Sequence, residues 1–103
     1  MTTFRNFTPH VITLNNGDTF QSEGVARVQA TFSEFNADGV CEQQFGEVNG
    51  LPEPENNVQI IVSALVLAAG RQQGRTDLVA PATGHPDCVR ENGFIVSVPG
   101  FVR

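Results

Sequence analysis

A chain of 103 residues with 40% hydrophobic content supports one hydrophobic core, and two independent cores would be thin. Eleven carboxylates face six cations, all arginine, so the net charge of -5 disfavours long-range attraction to a nucleic-acid backbone. The lack of lysine also removes Schiff-base chemistry and the phosphate-binding lysine of a P-loop.

Residues 10–14 read as a strand that ends at Asn15-Asn16-Gly17-Asp18 and resumes with Thr19-Phe20. Asn-Gly accepts the positive backbone angles of a tight turn, which predicts an antiparallel hairpin with Ile12 and Leu14 directed inward. Residues 25–32 alternate, placing Ala26, Val28, Ala30 and Phe32 on a predicted core face. Phe35 breaks that parity, by a bulge near Ser33 and Glu34 or by the end of the strand. Asn36-Ala37-Asp38-Gly39 is a second turn, returning through residues 40–48 as a partner strand.

Residues 49–57 contain Pro52 and Pro54 and are predicted to run extended over the surface as an internal connection. Residues 58–62 are almost continuously apolar and β-branched, the pattern of a central strand. Ser63 is placed to cap a helix over residues 64–73, whose first turns are apolar around nearly the whole circumference and so predict heavy burial. A short strand over residues 77–80 follows. Glu91-Asn92-Gly93 then turns a last hairpin into residues 94–98, with Phe94, Val96 and Val98 on one face. Together these elements predict a single α+β domain over residues 1–103: an antiparallel-rich sheet built from hairpins, packed against one main apolar helix.

The opening residues carry no basic segment followed by an apolar stretch, and the apolar runs on either side of Ser63 are too short to span a bilayer. The expectation is a cytoplasmic protein without membrane association, in which Cys41 and Cys88 are free thiols.

Several segments recur together in a known family: Asn6-Phe7-Thr8-Pro9-His10-Val11-Ile12, Leu51-Pro52-Glu53, Ile61-Val62-Ser63-Ala64-Leu65-Val66, Arg75 through Gly84, and Val89-Arg90 through Ile95. On these pieces, which run in order over nearly the full length, the chain resembles a family of small uncharacterised proteins of bacteria and their bacteriophages. The resemblance implies a compact phage- or prophage-associated protein and transfers no catalytic residue.

Among polar residues, Arg27, Ser63, Arg75 and Asp77 form one candidate binding group, joined by Thr83, Gly84, Asp87 and Arg90. An arginine fork near a helix N-terminus or a glycine loop can hold a phosphate or carboxylate. The plainer alternative is that Arg75 and Asp77 pair locally, Arg27 and Arg90 face solvent and Thr83 organises a turn. Ser63 occupies the strand-to-helix position of a nucleophile elbow but lacks its glycines, so capping is the better reading. His10, Cys41, His85 and Cys88 offer zinc-type donors without the paired spacing of a zinc site, and no metal or cofactor is expected. Glu53 and Glu55 lack a cleft that would make them an acid/base pair, and the phenylalanines are predicted mostly to be core.

No constellation identifies a reaction. The leading expectation is a noncatalytic phage-related interaction or accessory protein that self-associates or binds a protein partner. It would use the segment Leu51, Pro52, Glu53 and Pro54 or an exposed strand edge. The alternative is a small-molecule or nucleotide-binding domain whose anion contact comes from Arg75, Arg90 and backbone donors around Thr83 and Gly84.

Overall fold

The computed structural model describes residues 2–103, an α+β fold of hairpins around one sheet and one helix. In chain order the elements are β1 (Thr3–Asn6), β2 (Ile12–Thr13), β3 (Thr19–Phe20), β4 (Arg27–Phe32), β5 (Gln43–Asn49), β6 (Val58–Ile61), α1 (Ala64–Gln72), β7 (Leu78–Pro81), β8 (Val89–Glu91), β9 (Phe94–Ser97) and β10 (Phe101–Val102). Three hairpins form as the turn residues require: β2 with β3, β4 with β5, and β8 with β9. The central sheet has the order β1-β6-β7-β10 and is mixed, with β6 parallel to both β1 and β7 and β10 antiparallel to β7.

Strand β6 is apolar except for Gln59, because both faces of this sheet are covered. Ile60 and Val62 on one face meet Leu78 and Ala80 of β7, Val66 and Leu67 of α1, and Phe7 and Ala26. Alternation turns Ile61 and Val79 to the other face, where Phe4 and Phe101 approach with ring centroids 4.8 Å apart and Phe20 of the first hairpin closes the group. Ser63 caps α1 as predicted, its hydroxyl accepting from the Val66 amide at 3.3 Å. Gly70 sits where α1 crosses β7, and a methyl group there would run into buried Leu78, which accounts for a glycine inside the helix.

The burial of α1 is narrower than its composition predicts. Val66, Leu67, Ala69 and Gly70 are buried, whereas Ala64, Leu65 and Ala68 are exposed, because only the β7 and hairpin side of the helix has a partner. The core face leading into β4 likewise fades along the chain, from buried Ala26 just before the strand to Phe32 at 66% exposure. Its strand ends at Phe32, and the bulge lies in β5 opposite Gln29, not near Ser33. Gln73, the C-cap of α1, fills that bulge: its side chain donates to the Gly46 carbonyl at 2.7 Å and accepts from the Val48 amide at 3.4 Å. The hairpin is thereby tied to the helix.

Asn6 is the one fully buried polar side chain of large volume among the described residues. Its Nδ2 donates to the His10 carbonyl at 2.7 Å and the Phe20 carbonyl at 2.9 Å, while its Oδ1 accepts from the Thr8 amide at 2.9 Å and the Thr8 hydroxyl at 2.7 Å. Both donors and both acceptor positions of the amide are used. Asn6→Asp keeps the acceptors and loses the donors, setting a carboxylate against two carbonyls. Burial raises the folded-state pKa of such a carboxyl above its unfolded value near ~3.9, so the variant's stability should fall as pH rises from that value. Urea titrations at acidic and neutral pH test this, and equal losses at both would refute the pairing described.

Gly50 combines a left-handed φ of 89° with a Cβ position only 2.5 Å from the Val25 carbonyl oxygen, whereas Gly17, at φ 96°, has open space. Gly50→Ala should therefore cost roughly 2 kcal/mol more than Gly17→Ala in equilibrium unfolding, since the second meets only the backbone penalty. Similar losses would mean that the Gly50 turn can move away from Val25.

Candidate functional site

The three parallel strands β1, β6 and β7 run in one direction, so their carboxyl ends and the start of α1 share an edge of the sheet. Clefts of open α/β sheets form at such edges. Here a cleft of about 480 Å³ lies there, floored by Ser63, Ala64, Pro81 and Thr83. The loop of residues 8–13 walls one side and residues 95–98 the other.

Local geometry explains both walls. The first is shaped by Asn6, whose bonds to Thr8 and His10 fold the Thr8-Pro9-His10 segment back on the end of β1. Ser22 adds a hydroxyl bond to the Thr8 carbonyl at 2.7 Å. The second wall is the base of the β8–β9 hairpin. It is joined to the first hairpin by the Val98 amide donating to the Thr13 carbonyl at 3.0 Å and the Asn15 amide donating to the Val98 carbonyl at 2.8 Å. The Ser97 hydroxyl reaches Asn15 Oδ1 at 2.6 Å. No lining residue carries a permanent charge; hydroxyls and the His10 imidazole supply the polar groups.

Of the residues expected to form the binding group, only Ser63 and Thr83 line this cleft; His10, considered in the sequence as a zinc-type donor, lines it as well. Arg90 approaches its rim, donating to the Thr83 carbonyl at 2.8 Å. Gly84 and Asp87 are exposed in the turn beyond Thr83, where the Asp87 amide donates to His85 Nδ1 and its carbonyl accepts from Asn15. Arg27 stands alone and exposed at the start of β4. Arg75 precedes β7 while Thr83 follows it, so the strand separates the two halves of the expected anion site. Among the described residues no group of three or more His, Cys, Asp and Glu side chains could hold a metal ion.

Arg75 is engaged elsewhere. Its Nε and Nη2 donate to the two carboxylate oxygens of Asp77 at 2.9 and 2.8 Å, and Nη2 also donates to the Pro52 carbonyl at 3.1 Å. This fork ties the connector to the start of β7. Leu51 packs against the core and Pro52 is half-buried, leaving only Glu53 and Pro54 exposed in the segment expected to meet a partner. Hydrogen bonding from Arg75 holds the Asp77 carboxyl below its usual range against the opposing effect of burial, and the same bonds raise the Arg75 guanidinium.

The cleft residues missed in the sequence are the apolar ones: Val11 and Ile12 on one wall, Ile95 and Val96 on the other. Their residue types mark no chemistry, and only the long-range join between the first and last hairpins brings them together. Comparison with known family models, curated proteins and solved structures returns no match to this chain.

A carboxyl depressed in the folded state stabilises above its unfolded pKa of about 3.9, and that contribution disappears as pH falls through the folded value. Asp77→Asn should cost about 1–2 kcal/mol at neutral pH and shrink toward no difference from the parent in strong acid. Denaturation curves at both pH values check this; a constant difference would show that the charge on Asp77 is irrelevant.

Proposed function

We propose that the chain is a noncatalytic interaction protein, an accessory factor of phage or prophage origin that works by burying apolar hairpin arms against another protein surface. The phage setting rests on the family resemblance alone. The interaction reading rests on how much apolar surface the fold leaves uncovered.

A monomer of 11.1 kDa is expected to expose about 5,700 Å² and to have a radius of gyration near 13 Å. This chain exposes 6894 Å² with a radius of 15.3 Å, an excess of roughly 1,200 Å² over that scaling. Two projecting hairpin arms contribute to it. Of Phe94, Val96 and Val98, expected on one face of the strand, only Val98 is buried. The β8–β9 arm is attached at its base, and Phe94 at its tip is 77% exposed, with Val89, Ile95 and Val96 also exposed. At the far end of the β4–β5 arm, Phe35 is 72% exposed beside exposed Phe32 and Val40. Patches of this kind mark protein contact surfaces on folded chains.

A second reading has one observation in its favour. The cleft has the volume of a small-molecule site and an apolar lining. Its lack of cations suits an uncharged apolar compound and gives no partner to a nucleotide phosphate.

The two readings separate by photo-crosslinking inside the producing cell. A photoreactive phenylalanine analogue at position 94 or 35 should yield discrete protein adducts, and the same probe at position 55 on the exposed connector should yield none. No adduct from either arm, with a stoichiometric apolar compound retained in the native mass spectrum, would transfer the role to the cleft's second reading.

A further inference from the structure

We propose that the occupant of the cleft is the β8–β9 arm of a second copy of this chain, two copies exchanging arms so that Phe94 of each enters the cleft of the other. This rests on the interaction reading and names its partner.

The chemistry of the cleft selects the occupant. With no permanent charge in its lining, it cannot compensate a buried ion, so an aromatic or aliphatic group fits where a phosphate or carboxylate does not. The chain supplies such a group itself. Phe94 follows a tight turn at Asn92 and Gly93, with φ 52° and 82°, and is the most exposed of the large apolar side chains among the described residues. The two charges at the end of the arm, Arg90 and Glu91, cancel, so the arm escapes the mutual repulsion that a net charge of -5 imposes on the whole molecule.

Position adds a second argument. The base of the arm forms one wall of its own cleft, so knob and hole are neighbours on one surface. A two-fold axis beside β9 then carries each arm over the other copy's cleft, the self-complementary arrangement of a closed dimer. Exposed Val11 in the cleft wall, and exposed Leu65 next to Ala64 of its floor, would be covered with it.

Sedimentation velocity on the full chain at micromolar concentration should show a dimer. Phe94→Asp, on the arm, and Ala64→Glu, on the cleft floor, should each weaken it by at least about thirtyfold, the loss typical of a central interface anchor. Both positions are exposed in the single chain, so circular dichroism of the monomeric variants should match the parent. Mixing the two variants should restore association in part, since the heterodimer regains one intact arm in one intact cleft. A parent chain that sediments as a monomer, or a dimer indifferent to both substitutions, overturns the proposal. A monomeric parent whose position 94 still crosslinks to a different protein in the cell refutes self-pairing and leaves the broader interaction reading standing.

Discussion

The structure depends on the burial of one amide. Asn6 ends β1 with its side chain withdrawn from water, and every hydrogen-bonding position of that side chain is taken within the chain. The backbone on either side does equally varied work. The Asn6 carbonyl accepts from Glu23, the Phe7 amide donates to Ile61 and the Phe7 carbonyl accepts from Ala26. Two consecutive residues therefore join the central sheet, the segment after the first hairpin and the entry to the second. An orphaned buried polar group costs about 1–3 kcal/mol, and a small domain has only about 5–15 kcal/mol in total. Aspartate lacks the two donors that the His10 and Phe20 carbonyls require, and leucine lacks both functions.

The same junction sets the cleft. Because the Asn6 amide holds Thr8 and His10, the following residues stand as a wall at the carboxyl ends of the parallel strands instead of continuing β1. At the opposite end of β7, Arg75 is fixed by Asp77 and by the Pro52 carbonyl, which makes it a clamp on the connector. Charge is thus used to fasten the chain at one end, while the concave end is left uncharged. A concave end without fixed charge can bury apolar groups, which is what the proposed interaction requires.

Much of this was legible locally. The turns at Asn16-Gly17 and Asn92-Gly93, the cap at Ser63 and the doubly covered strand β6 depend on a few adjacent residues, and each forms where its residues require it. The pairing of Arg75 with Asp77 is local too, and the plainer of the two sequence readings describes it. The rest depends on distant partners. Strand β1 has no alternating pattern, and its parallel neighbour lies more than fifty residues away, so the mixed character of the central sheet left no mark in the turns. Nor does a hairpin's own sequence state whether it lies on the core or projects from it. Residues 94–98 read as a strand with Phe94, Val96 and Val98 on one face, and the phenylalanines as mostly core, yet only the base of that arm meets the first hairpin, and Phe94 is left in solvent. The apolar circumference of α1 misled for the same reason, since packing partners exist on one side alone.

The central claim, that the Asn6 amide locks the junction, is tested most directly by residue-resolved hydrogen exchange of its side-chain Nδ2 protons and of the Thr8 backbone amide. The account predicts that both exchange only through global unfolding, with protection equal to that of the β6 amides and the same dependence on denaturant. Exchange through a low-energy local opening, independent of denaturant while β6 remains protected, would contradict it.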